Sequence, residues 1–237
     1  MDFFADAGRE AIRLLLTGGS GLWRIVALSL RVGFLGLLLG AVVGIPLGAA
    51  VALGRFRGRN TVIALIQTGY ALPPVVVGLF VYMLLSRAGP FGTLALLFTP
   101  TAMVLAQALL AGPYVAGITL SAVQAVPPDV RLQARALGAS RVRALLTHLR
   151  EARFGLLAAL VAGFGAVMSE VGAVMMVGGN VEGSTRVMTT AIVLETRRGD
   201  FGVALALGVL LLLIAFAVNV GVAHAQQERS ARVRPWM

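Results

Sequence analysis

Two ionisable side chains stand inside long apolar stretches: Arg31, in IVALSLRVGFLG, and Glu170, in GFGAVMSEVGAVMM. A charge at membrane depth is costly, so it faces a bundle interior, a wet cavity or a charge of opposite sign. Arg31 lies about five residues below one end of its stretch and Glu170 about seven below one end of its own, so at ~1.5 Å per residue their depths agree to a few ångströms. They are expected to pair, directly or through water, as a structural ion pair or as part of a transport path. Gly178-Gly179-Asn180-Val181-Glu182-Gly183-Ser184-Thr185-Arg186 has the composition of an anion cradle before a helix. A tight re-entry turn explains the same glycines. Alternatively Gly179, Asn180 and Arg186 meet something arriving from outside.

Other chemistry is scarce. His148 and His224 are the only histidines and lie far apart in the chain, which speaks against a zinc site or a serine–histidine pair and for solvated or interfacial rings. There is no cysteine, hence no disulfide, thiolate or cysteine-bound metal. All twenty basic residues are arginine, so G-x-x-x-x-G-K-[ST] cannot be completed and the chain carries no standard phosphate-binding loop. No catalytic residue, metal or bound cofactor is expected.

The elements that hold these residues are apolar spans. The 237 residues are 58% hydrophobic and only 13% charged, with a mean hydropathy of +0.90. These values indicate an all-α polytopic membrane protein. The net charge of +10 sits between spans, so it reports membrane topology rather than nucleic acid. No basic segment precedes the first apolar residues, so no cleaved signal peptide is expected. Residues 1–21 read as an amphipathic interfacial helix, with Asp6/Arg9 and Glu10/Arg13 as i,i+3 pairs. Five spans follow, at about 26–53, 61–85, 101–123, 154–177 and 201–223, within a membrane domain of 22–225, then a basic tail at 226–237. In the first span Gly33, Gly36, Gly40, Gly44 and Gly48 form a small-residue stripe that lets a second helix approach closely. Pro73 and Pro74 fall near the middle of the second, where freed carbonyls need a partner or a cavity; they mark a structural kink or a pathway. A short helix is expected over Val187–Thr196.

Residues 127–153 are the one long polar interruption, with six arginines against Asp129 and Glu151. They read as two short helices. Pro127, Pro128 and Asp129 suit a helix start. Gly138 suits a stop, Ser140 a cap, and Val142, Leu145, Leu146 and Leu149 recur at i, i+3, i+4 and i+7. Such a pair with an elbow is a docking surface, a use that a merely solvated loop does not require. If it is cytoplasmic, twelve arginines lie on that side against seven opposite. This puts the N-terminus outside and the C-terminus inside.

Leu132-Gln133-Ala134-Arg135-Ala136-Leu137-Gly138-Ala139-Ser140 resembles the cytoplasmic "EAA" loop of ABC-importer permeases. Ala134, Gly138 and Ala139 match the pattern; Leu132 stands where a glutamate is usual, and Arg150-Glu151 replaces the usual Leu-Pro. The runs Leu72-Pro73-Pro74-Val75-Val76-Val77-Gly78, Glu170 to Asn180 and Thr185 to Ile192 are similar to the tungstate branch of the molybdate/tungstate/sulfate-type permeases. The resemblance implies a type I ABC-importer permease fold in a bacterial or archaeal inner membrane. It implies a homodimer, two cytoplasmic ATPase subunits that use ATP, and an extracytoplasmic oxyanion-binding protein. Ala134, Leu137, Gly138, Ala139 and Ser140 would then couple to the ATPase, with transport by alternating access. A molybdate or other oxyanion permease is the near alternative. A membrane-embedded enzyme needs a His/Asp/Glu cluster that is not visible, and a secondary transporter often shows an inverted repeat.

Overall fold

In a computed structural model, residues 2–17 and 20–231 are described, and among them the chain is helical throughout. The eleven α-helices described are α1 (Asp2–Thr17), α2 (Ser20–Leu53), α3 (Arg59–Ala71), α4 (Pro74–Leu85), α5 (Pro100–Ala125), α6 (Asp129–Ala136), α7 (Arg141–Glu151), α8 (Arg153–Met168), α9 (Gly172–Gly178), α10 (Met188–Arg198) and α11 (Phe201–Ala231). A 3₁₀ turn, Gly92–Leu94, lies between α4 and α5. Three helices, α2, α5 and α11, are long and apolar enough to cross a membrane; counting each of two bent pairs as one span raises the number to five.

The bundle is built on α2 and α5. They run parallel, and the glycine stripe is their seam. Gly36 lies against Gln107, Gly40 against Ala111 and Gly112, Gly44 against Gly112 and Val115, and Gly48 against Ala116 and Thr119. Each step of four residues on α2 matches a step of four on α5, so the two helices stay in register along the seam. A β-carbon on Gly40 would lie 2.7 Å from that of Ala111, so only glycine permits this approach. α8 runs back across the pair, with Gly155 on Ala122 and Gly163 on Leu37 and Val115. Leu37, Ala41, Ala111, Val115, Ala159 and Val167 fill the space between the three helices.

Two segments expected as plain spans are interrupted or extended, and a third breaks at its double proline. The stretch 61–85 divides at Leu72 and Pro73, and α3 and α4 meet at 99°. Pro73 has φ −60° and ψ 123°, the extended geometry imposed on a residue before proline. The stretch 154–177 is not one helix: α8 ends at Met168 and α9 begins at Gly172. The last span, expected to stop near 223, continues to Ala231 as α11, so the tail boundary at 226 falls inside a helix; residues 232–237 lie outside those described. α1 has the expected amphipathic charge pairs, with Arg9 2.8 Å from Asp6. It packs on the start of α11, where Glu10 lies against Gly202, and Ala11 is buried.

Candidate functional site

The α6–α7 elbow forms at one end of the bundle, where α2 and α5 finish. α6 stops because Leu137 and Gly138 turn back on it: Leu137 N donates to Gln133 O and Ala139 N to Ala134 O, both at 3.0 Å. Gly138 has φ +85°, the left-handed region that glycine enters at least cost. Ser140 Oγ accepts from Arg143 N at 3.3 Å and caps α7. The elbow projects outward. Leu137 is 88% exposed, and Leu132, Val142 and Leu146 are exposed as well. Val130, Gln133, Ala134, Leu137, Gly138 and Ala139 line one wall of a concavity of about 630 Å³ between the two helices, with Arg143 and Thr147 on the other.

The buried face of α7 is not its leucine-rich face. Ala144 and His148 point inward, with Ala152 one turn on, while Val142, Leu145 and Leu146 are exposed. His148 is 2% exposed, contrary to the solvated or interfacial ring expected, and its Nε2 lies 3.0 Å from Val123 O. Pro127 explains this contact. In α5 the carbonyl of Val123 would receive the amide of residue 127, but proline has none. The imidazole N–H replaces it, which fixes the proton on Nε2 and ties α7 to the end of α5. At Ala152, α7 then turns into α8 at 59°. The elbow is thus joined to the end of α5 through His148 and runs on into α8 through Ala152.

A second polar group sits at the α8–α9 break. Ala173 N donates to Glu170 Oε1 at 2.8 Å, so this buried carboxylate caps α9. Thr189 Oγ1 donates to Glu170 O at 2.8 Å, and Gln107 Nε2 donates to Val167 O at 3.1 Å. Ser29 Oγ accepts from Met188 N, the first amide of α10, at 2.7 Å. Five elements, α2, α5, α8, α9 and α10, thus meet at one break, and each end of an interrupted helix is satisfied by a side chain. A direct Arg31–Glu170 pair is not formed within the chain. Arg31 is exposed on α2, it belongs to none of the ion pairs among the described residues, and Glu170 turns to the α9 backbone instead. A charge at membrane depth had two solutions, an opposite charge or helix amides; the break supplied the second.

Residues 178–186 close on themselves. Ser184 N, Thr185 N and Arg186 N all donate to Val181 O, and Val181 N donates to Thr185 Oγ1 at 2.9 Å. Gly179, Asn180 and Gly183 take positive φ to make the turn. These amides are committed inside the loop, so it is a re-entry turn rather than an anion cradle. Arg186 lies 3.5 Å from Glu182. Pro73 and Pro74 stand at the α3–α4 elbow, remote in sequence from both polar groups; Gly78, one turn into α4, packs directly on the backbone of Ala173 in α9.

The chain as a whole has counterparts among known proteins. Residues 44–230 match the family described as binding-protein-dependent transport system inner membrane component. The chain belongs to this family. It is 46% identical over 200 residues to a probable anion ABC transporter permease protein of Haloferax volcanii, covering 82% of this chain and 86% of that one. It is 38% identical over 228 residues to a tungstate uptake system permease protein of Peptoclostridium acidaminophilum, covering 96% and 100%. In fold it resembles a bacterial alginate ABC transporter solved with its substrate-bound periplasmic protein, at a TM-score of 0.74 and 18% identity over 91% of this chain and 82% of that chain. The methionine ABC transporter MetNI in an inward-facing form gives 0.68 at 18%, over 91% and 97%. This chain is therefore the membrane component of an ABC import system.

Sequence reasoning found the elbow but missed Ser29, Thr189, the buried role of His148 and the cap made by Glu170. Pro127, four residues after Val123, was the available signal for His148. Nothing in the spacing pointed to Ser29 and Met188, which are 159 residues apart.

Proposed function

We propose that this chain is the permease subunit of an ATP-driven tungstate importer. It works as a homodimer, with five spans per copy and the N-terminus outside. Two ATPase subunits seat on the α6–α7 elbows in the cytoplasm, and an extracytoplasmic oxyanion-binding protein docks at the opposite end, where Gly179, Asn180 and Arg186 lie. ATP binding draws the elbows together, the His148–Val123 contact carries the movement into α5, and the access side alternates. A ligand shifts such an equilibrium only through its differential affinity for the two states, and here ATP in the partner supplies it. The observation that carries this reading is the elbow: an 88% exposed leucine beside a glycine at φ +85°, bonded into the end of a buried span.

The test is reconstitution in liposomes with a partner ATPase and an oxyanion-binding protein. Tungstate uptake is expected only with all components and ATP. Uptake by this chain alone would overturn the reading. Similarity to a probable anion permease supports a second version with wider substrate range. Competition of labelled tungstate uptake by molybdate and by sulfate separates the two.

A further inference from the structure

The α2–α3 turn carries Arg55, Arg57 and Arg59 within five residues, and the chain holds no acid between Glu10 and Asp129. None of the three enters an ion pair among the described residues. Arg59 Nε donates to Val51 O at 2.9 Å, which pins the turn to the end of α2. Arg55 and Arg57 are exposed. Gly58, at φ +85°, starts α3 with no side chain capping its first amides. Arg55, Phe56, Arg59, Asn60 and Thr61 enclose a concavity of about 520 Å³.

The next residue, Val62, begins a second concavity of different character. This groove holds about 760 Å³ and is apolar along its whole lining, with Leu47, Val62, Leu65 and Ile66 near the turn and Leu109 and Phe91 further along. It exists because α3 and α4 diverge at 99° and leave the faces of α2 and α5 uncovered between them. Along α5 it extends from Leu105 to Ala116, about 16 Å at ~1.5 Å per residue, close to half of the ~30 Å hydrocarbon core.

We propose that the turn and the groove together bind one anionic phospholipid, its phosphate among Arg55, Arg57 and the start of α3 and an acyl chain in the groove. Phosphate matches guanidinium forks and uncapped helix amides, and among the described residues no acid pairs with this turn. A second copy fits the charge poorly: at this end of the bundle its acids are Asp129 and Glu151, set among the six arginines of residues 127–153, and Glu228, which Arg229 follows directly in the chain near the end of α11. A soluble phosphate would leave the adjoining apolar groove unused. The site lies beside the coupling elements, since Ala49 and Val123 pack with Ala152 at the start of α8. The lipid thus rests against the same helix ends that the elbow moves. This inference requires only that the chain be embedded in a bilayer, whatever it transports.

The test is native mass spectrometry of the full chain released from vesicles of phosphatidylglycerol and phosphatidylcholine. One phosphatidylglycerol retained per chain is expected, and inorganic phosphate should not displace it. At the usual worth of a surface arginine toward an anionic membrane, Arg55→Gln with Arg57→Gln weakens retention about thirtyfold. Arg87→Gln with Arg197→Gln removes the same charge elsewhere and should leave it unchanged. Equal loss in both double variants, equal retention of phosphatidylcholine, displacement by phosphate, or a lipid-free dimer would each overturn the proposal.

Discussion

Replacing Gly48 by alanine tests the seam on which the fold rests. A β-carbon there meets the carbonyl oxygen of Ala116 inside contact distance, lies 2.9 Å from Thr119 Cβ, and lies 3.0 Å from the Ala116 carbonyl carbon. Two of these three atoms are backbone, so no rotamer change relieves the overlap and α2 must move off α5. Overpacking of this kind costs typically 1–3 kcal/mol, and a backbone obstacle puts it near ~3. Alanine recovers ~1 kcal/mol of helix propensity over glycine. The net loss is ~2 kcal/mol, roughly thirtyfold in the folded-to-unfolded ratio. Gly208 in α11 is the matched control, because no neighbouring atom lies within 4 Å of its β-carbon position. There the same substitution should be neutral or stabilising by up to ~1 kcal/mol. Titration of both variants with a denaturing detergent in mixed micelles, followed by circular dichroism, gives the comparison. If Gly48→Ala and Gly208→Ala shift the midpoint alike, the seam is not close-packed and the reasoning is refuted.

Gly138→Trp places a bulky side chain where φ is +85° and at the point of the elbow; ATP hydrolysis by the assembled transporter should lose its link to uptake while the isolated permease unfolds normally. His148→Ala leaves Val123 O, already without an amide from Pro127, unsatisfied in a buried place; a stability loss of ~1–3 kcal/mol is expected from a lost buried partner, together with weaker coupling. Glu170→Gln keeps an acceptor for Ala173 N, so uptake and assembly should survive, whereas Glu170→Ala should cost ~1–3 kcal/mol in the unfolding titration. Failure of the glutamine variant would favour a charge pairing over the cap.

The α6–α7 segment was legible because its signals are local. Gly138 as a stop, Ser140 as a cap and the prolines before Asp129 act over three or four residues, and each is found in that role or at that boundary. The glycine stripe was legible for the same reason: a spacing near one helical turn places small residues on one side of α2 whatever the rest of the chain does. Which helix fills that side was not legible, because Gly48 and Thr119 are brought together only when α2 and α5 run parallel. The leucine face of α7 shows the limit from the other direction. Periodicity identified an apolar side, but in a membrane component an apolar side can face a partner as well as a core, and here Ala144 and His148 take the core.

The sequence by itself determined that the chain crosses a membrane, that it carries no nucleotide loop of its own, and that an elbow interrupts its apolar stretches. Composition, the missing lysine and short-range turn chemistry suffice for these. Only the tertiary structure decided where the buried polar groups find partners. Glu170 could have met Arg31 or helix amides, and His148 could have met water or a carbonyl. In each case the outcome depends on where helices break and which backbone groups the break leaves unpaired, and that is set by packing between segments far apart in the chain.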